Sequence, residues 1–257
     1  MKYVRETLAV AQRILLELWR RQRSLIFWAL FPALLLILNS LILQERTQVS
    51  LGVAYSNALP PTLVGAALFF SCLGGSVATV VAEREQHTLK RLFLSPLSGV
   101  SYFLGICLAY GVIGLGQSVL VYAIALSQGA TVEGSFLASL LIVALSIAAY
   151  VGVGFVLGTQ FARRTEDVNA LIAAFGVPLM ILGGAFLPAE FFPDSLLRLT
   201  RFNPIYHMIE ALSGVAAEGS TLEEVGPHVR FLGIFAIAMV GVGWLAYRRM
   251  VQVERQL

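Results

Sequence analysis

An all-α membrane protein with six transmembrane helices is the fold class this sequence predicts, on three observations. The first is composition: 58% of the 257 residues are hydrophobic and only 13% are charged, against roughly a quarter charged in soluble domains. The second is six apolar runs without Asp, Glu, Lys or Arg, at Leu25–Leu43, Leu59–Ala82, Val100–Leu126, Phe136–Phe161, Val168–Pro188 and Phe231–Tyr247. Each is close to the roughly 17–25 residues a helix needs to cross the hydrocarbon layer. The third is that no run alternates as the strands of a membrane barrel do. A helix then satisfies its own backbone in lipid.

Residues 1–24 precede the first run and read as an interfacial helix. Val4, Leu8, Ala11, Leu15 and Leu18 recur at helical spacing, with Arg5, Gln12, Arg13 and Arg20 on other faces, the pattern of a helix lying in the membrane plane. Trp19 and the basic cluster Arg20 to Arg23 place an anchor at headgroup level. A cleavable signal is not expected, because the first run is longer than a signal peptide's apolar core and follows a long basic segment. Pro32 is expected to kink the first span, and a polar turn around Gln44 to Asn57 to lead into the second. In the fourth span Gly154 and Gly158, beside Gly152, are spaced for close helix approach, with a dimer seam as the less favoured use. Gln117 and Gln160 are expected to hydrogen-bond between helices. Cys72 and Cys107 lie inside apolar runs without metal spacing and read as small apolar side chains.

Between the second and third runs stands the charged stretch Glu83-Arg84-Glu85-Gln86-His87-Thr88-Leu89-Lys90-Arg91-Leu92-Phe93. Leu89, Leu92 and Phe93 fall at i, i+3 and i+4 on one helical face, and Glu83/His87 and Gln86/Lys90 are spaced to support a helix. Ser95-Pro96 stops it. The spacing therefore predicts a short amphipathic helix over 83–95, at a membrane face. Lys and Arg are retained on the cytoplasmic side. They concentrate before the first run, in this stretch, at Arg163-Arg164 and at the carboxyl end, whereas the opposite side holds Arg46, Arg198, Arg201 and Arg230. Both termini and the charged stretch are expected in the cytoplasm. The net charge of +3 follows from that topology and calls for no nucleic acid.

The longest external segment runs from Ala189 to Arg230. Pro193-Asp194 is suited to open one short helix through Phe202, and Asn203-Pro204 to cap and begin a second through Ala217. The second is too short to span but apolar enough to dip into the outer leaflet. His207 and Glu210 are three apart and read as a structural pair, because a metal site usually takes three or more protein ligands.

Several chemistries are excluded. A Walker loop needs a lysine directly after a glycine, and neither Lys2 nor Lys90 follows one. There is no His-Glu-x-x-His, no Gly-x-Ser-x-Gly and no zinc spacing. No Asp, Glu, Lys, Arg or His falls within the six runs, whereas ion-coupled transporters keep such groups there. Energy for any transport would enter from outside the bilayer.

The pattern resembles the type-2 permeases of ATP-binding-cassette exporters, on three features. Glu83 to Leu92 followed by Ser95-Pro96-Leu97 is similar to the family's Glu-Arg-Glu-x-Gly-Thr-Leu-x-x-Leu-x-x-(Ser/Thr)-Pro stretch, with His87 where the family often has glycine. Gly183-Gly184-Ala185-Phe186-Leu187-Pro188, Phe192-Pro193, Asn203 to His207 and Glu210-Ala211-Leu212 are similar to the segment after the family's fifth span. The plan of an amphipathic amino-terminal helix and six spans is the third. The resemblance implies one permease domain over 1–257, in the inner (plasma) membrane. It would export a drug, lipid or glycan, surrounded by membrane lipid and paired with a second copy of itself. A separate ATPase subunit would bind ATP and magnesium, leaving this chain no cofactor, metal or catalytic residue. The same resemblance implies a coupling helix, docking on that ATPase through Glu83, Arg84, Glu85, His87, Thr88, Leu89, Arg91, Leu92 and Phe93. Its external helices, 189–218, would form a lid that includes Phe191, Phe192, Asn203, Pro204, Tyr206, His207 and Glu210. The competing readings are a membrane scaffold or an intramembrane hydrolase using Glu83, Glu85, His87 or His207, groups that this topology puts on opposite faces.

Overall fold

The computed structural model of the protein describes residues 2–86, 88 and 97–254. All regular structure among them is helical: α1 (Lys2–Arg20), α2 (Gln22–Thr47), α3 (Leu51–Glu85), α4 (Gly99–Ser127), α5 (Phe136–Phe161), α6 (Thr165–Leu182), α7 (Asp194–Thr200), α8 (Pro204–Ala216) and α9 (Gly226–Glu254). Six of these, α2 to α6 and α9, are long and apolar enough to cross a membrane. One end of the bundle gathers α1, the last turn of α3, the start of α4, the end of α5 and the start of α6. The opposite end gathers the α2–α3 turn, the α4–α5 connection, α7 and α8.

The second span is the central one. Its most apolar stretch is 83% buried by the rest of the chain, against 17% for α2 and for α9 and 11% for α6, so α3 is the post around which the others stand. It begins earlier than the sequence suggests. Ser50 caps it by accepting from Val53 N at 3.4 Å, and Gln48 ends α2 in the left-handed conformation, so the expected turn over Gln44 to Asn57 shrinks to residues 48–50. Pro60-Pro61 remain inside the helix, where neither can donate a backbone hydrogen bond. Beyond them Thr62–Gly74 winds into the wider π register.

Glycines seat the fourth span on its neighbours. A Cβ at Gly154 would lie 2.0 Å from Ser76 Oγ of α3, and one at Gly158 would lie 3.1 Å from Val80 Cβ. At Gly152 it would lie 2.7 Å from the backbone carbon of Met239 in α9. The small-residue seam is therefore used inside the chain, where contact without a Cβ lets two backbones close on each other. Gln160 donates to the Ala246 carbonyl of α9 at 3.1 Å, an interhelical bond of the kind expected. Gln117 is buried, and its Oε1 has no hydrogen-bond partner among the described residues.

α1 packs along the start of α4 on part of the stripe read from the sequence, with Ala11 buried and Leu15 and Leu18 packed against the core. Its buried residues are Val10, Ala11 and Ile14, while Val4 and Leu8 stay exposed. Gly105 makes this possible, since a Cβ there would sit 2.6 Å from Val10. The helix is apolar on more than one face, and the bundle takes one of them.

The external helices form close to the predicted bounds. Asn203 caps α8 by accepting from Ile205 N at 3.0 Å, and its amide donates to the Leu179 carbonyl of α6 at 2.7 Å. α8 buries Ile205, Met208, Ile209, Ala211 and Leu212 against α9, α5 and α3. Its apolar face is covered by its own chain. Where α3 meets the α4–α5 connection, a Cβ on Gly52 would lie 2.2 Å from the Gly129 carbonyl oxygen, and Ser56 Oγ accepts from Thr131 N at 3.0 Å.

Candidate functional site: the junction at Glu83, Arg84 and Glu85

The last turn of α3 carries three consecutive charged residues, and successive helical side chains point about 100° apart. Each therefore reaches a different neighbour. Glu83 turns inward, 7% exposed, where one carboxylate oxygen accepts from the Arg13 guanidinium of α1 and the other from the Tyr102 hydroxyl of α4. Arg84 reaches the end of α5, where its guanidinium donates to the carbonyls of Gly158 and Ala162, each at 3.2 Å. Those are orphan acceptors at a helix carboxyl end, the place where a cation is favoured. Glu85 accepts from Thr165 Oγ1 at 2.7 Å and Thr165 N at 3.3 Å, the mirror case of a carboxylate at a helix amino end. Three residues thus join α3 to α1, α4, α5 and α6.

Around the junction, a cavity of about 320 Å³ opens between α1, α2, α3 and α4, with Arg13, Glu17, Trp28, Glu83, Gln86 and Thr88 in its lining. Tyr110 closes its inner wall by donating to the Gly75 carbonyl at 2.7 Å, with Thr79 Oγ1 2.6 Å from the same hydroxyl. At the start of α4, Glu6 of α1 accepts from Ser101 Oγ at 2.8 Å and from Ser98 N at 3.2 Å. The Ser101 hydroxyl, then the Ser98 amide, hold the Glu6 carboxyl below the ordinary carboxylate range. A group whose pKa is depressed by folding contributes stability that is complete above its unfolded value and is lost as pH falls through the folded one. The melting difference between the protein and Glu6→Gln is accordingly expected to narrow as buffer pH drops below the carboxylate range. A difference that stays constant down to acid pH would remove Glu6 from the anchoring of α1.

Several residues read from the sequence as partner contacts have other engagements. Glu83 is buried and so is not on an outer surface, because burial of a carboxylate demands partners and Arg13 and Tyr102 supply them. Arg84 and Glu85 face elements of the same chain. Thr88 lines the cavity, while His87, Leu89, Arg91, Leu92 and Phe93 lie outside the described residues. Arg13 and Tyr102 are the residues that sequence reasoning missed. Arg13 stands beside Gln12 among the polar positions of α1, and nothing in the linear sequence relates it to a glutamate seventy positions away.

At the other end, Phe191 is 71% exposed and Phe192 8%. Asn203 is a buried cap, and Pro204 and Tyr206 are half-buried beside it, as is Glu210 farther along α8. His207 finds another imidazole: its Nδ1 lies 3.0 Å from Nδ1 of His228 in α9 and its Nε2 2.9 Å from the Arg201 carbonyl oxygen, with the ring stacked on Phe231. With Nε2–H donating to that carbonyl, Nδ1 is left to accept from His228. No group of three metal-ligating side chains occurs among the described residues. Glu83 and His207 lie at opposite ends of the bundle, so they cannot share a hydrolytic site.

Comparison with known proteins follows this architecture. Residues 38–245 match the profile described as ABC-2 family transporter protein. The inner membrane transport permease YhhJ of Escherichia coli K12 is 26% identical over 178 residues, covering 68% of this chain and 47% of that permease. A protein named probable multidrug ABC transporter permease YbhR, from the same strain, is 24% identical over 217 residues, covering 83% of this chain and 58% of that one. The chain thus spans about half the length of the curated relatives it matches. With a match running from the first span into the last, around a bundle of six membrane-length helices, this integral membrane protein belongs to the ABC-2 family of transporter proteins.

Proposed function

We propose that this chain is the inner-membrane permease subunit of an exporter that moves a drug, lipid or glycan-type molecule, driven by ATP hydrolysed on a separate ATP-binding-cassette subunit. It works as a dimer of two copies, with both termini and the segment after Glu85 in the cytoplasm and α7 and α8 as the outer lid. One observation carries this reading: the last turn of α3, from which that segment leaves, is tied through Glu83, Arg84 and Glu85 to four other helices at once. A lever is useful only if it is fixed to what it moves. A displacement of that segment by an ATPase would pass to α1, α4, α5 and α6 together. For nucleotide to drive export it must favour one arrangement of these helices through contacts that differ between states.

The amphipathic face of Leu89, Leu92 and Phe93 is the part assigned to the partner's groove, while Glu83, Arg84 and Glu85 hold the near end of the lever. Purification of the tagged protein from its native membrane, with mass spectrometry of what stays bound, is expected to recover a Walker-motif ATPase in near-equal amount. Leu89→Asp or Leu92→Asp is expected to lose that subunit and reduce efflux to background while the permease remains inserted, since a carboxylate in an apolar groove removes the driving force for docking. Efflux that continues unchanged in both variants, or the absence of any ATPase from the native sample, would overturn the proposal.

A further inference from the structure

A second site lies at the end of the bundle away from Glu83. A cavity of about 600 Å³ opens between the last turns of α2, the start of α3 and the segment from Gly184 to Phe191, within the size range of small-molecule sites. Its walls include Ile42, Leu43, Pro61, Phe186, Leu187 and Phe191. Four polar side chains interrupt that apolar surface: Asn39, Arg46 and Thr47 from α2 and Asn57 from α3. Arg46 is the one ionisable side chain in the described lining. Neither it nor the two asparagines has a hydrogen-bond or ion-pair partner among the residues whose side chains are described.

The last turn of α2 is a favourable place for a cation, and Arg46 is exposed there, so the five N–H donors of its guanidinium are open to water or to a ligand. Arg46 also stands where α2 leaves the apolar layer, at the level of headgroups, so a ligand that reaches it from the bilayer would keep its chain against the apolar wall. Guanidinium binds phosphate and carboxylate with two parallel hydrogen bonds. Asn39 lies almost two turns deeper on α2 than Arg46, and Asn57 faces it across the cavity from α3. They stand where the ester or hydroxyl groups that follow a headgroup would be.

We propose that this cavity binds an anionic amphiphile of the membrane, a phosphate or carboxylate headgroup on an acyl chain, with the head on Arg46 and the chain along Leu43, Leu187 and Phe191. The proposal concerns the permease chain alone and stands or falls independently of the ATPase.

The test uses the full chain in neutral detergent, without nucleotide, and native mass spectrometry with dioleoylphosphatidylglycerol or dioleoylphosphatidylcholine as the added probe. The protein is expected to retain the anionic lipid about tenfold better or more, as hydrogen bonds to a charged group suggest. Arg46→Gln is expected to abolish that preference, Arg46→Lys to keep part of it, and Leu43→Trp, which fills the groove without touching the charge, to reduce retention of the anionic lipid. Glycerol phosphate, a head without a chain, is expected not to compete. Three results would overturn the proposal: equal retention of both lipids, an Arg46→Gln variant that keeps the preference, or displacement by glycerol phosphate, which would make the site one for a free anion. An Arg46→Gln variant that turns dimer into monomer without changing lipid retention would assign the cavity to a second copy of the chain instead. Recovery of the ATPase by the same variant separates a failure here from a failure of the exporter reading.

Discussion

Replacing Arg13 by alanine is expected to cost about 3 kcal/mol of stability and to do so through Glu83. Removing one partner of a buried ion pair leaves a charge in low dielectric and costs roughly 3–5 kcal/mol. The lower end applies because Arg13 keeps 36% of its side chain exposed, so water screens the pair. Only the Tyr102 hydroxyl would then remain on the carboxylate. The informative comparison is the double variant: Glu83→Gln in the Arg13→Ala background removes the stranded charge while keeping an acceptor for Tyr102. It is expected to melt above Arg13→Ala alone, the non-additive outcome of a coupled pair. Strictly additive melting shifts would mean that the two groups do not depend on each other. Because the pair fastens α1 to the last turn of α3, Arg13→Ala is also expected to lower efflux more than it lowers the amount of ATPase recovered with the permease.

The second large effect is expected at Gly152. There α5 and α9 cross with no side chain between them: a Cβ at Gly152 would lie 2.7 Å from Met239 C and 2.8 Å from Val240 N, while one at Gly243 would lie 3.0 Å from the Gly152 carbonyl oxygen. Backbone cannot rotate away as the end of a side chain can, so Gly152→Leu must part the two helices. Overpacking of this kind costs typically 1–3 kcal/mol and sometimes more. The crossing also sets Gln160 at hydrogen-bonding distance from Ala246. Gly152→Leu is expected to insert but to melt well below the native protein and to lose export. Gly111 is the control: a Cβ there meets nothing within 4 Å, so Gly111→Leu should behave as the native protein. Equal melting of Gly152→Leu and Gly111→Leu would show that the contact carries no energy.

Much of this organisation is legible in the residue order. Runs of apolar residues of membrane length can satisfy their backbone in lipid only as helices, so the six spans follow from composition alone. Asn203-Pro204 is legible for a similar local reason: a side-chain acceptor followed by a fixed φ starts a helix wherever it occurs. Boundaries that depend on packing are less so. The start of α3 at Leu51 lies in a stretch that looks like a polar turn, and it is helical because Ser50 caps it and because Ser56 and Gly52 pack on the α4–α5 connection.

The charged stretch shows the same division within three residues. That Glu83-Arg84-Glu85 matters follows from charge beside lipid, and the resemblance to permeases names a role for the segment it opens. Which neighbour each side chain takes is decided by the angular step of the helix and by what stands at each angle: the Arg13 guanidinium, the carbonyl end of α5, the amino end of α6. The same is true of Arg46, which in sequence is only a basic residue on the less basic side, and of Gly152 and Gly154, which in sequence suit a seam with any helix. The sequence alone determined the class, the number of spans and the family, because these rest on hydropathy and local spacing. Tertiary structure alone decided which helix is central, which charges are neutralised inside the chain and where a charged groove remains open, because contacts between residues far apart in the chain are set by packing.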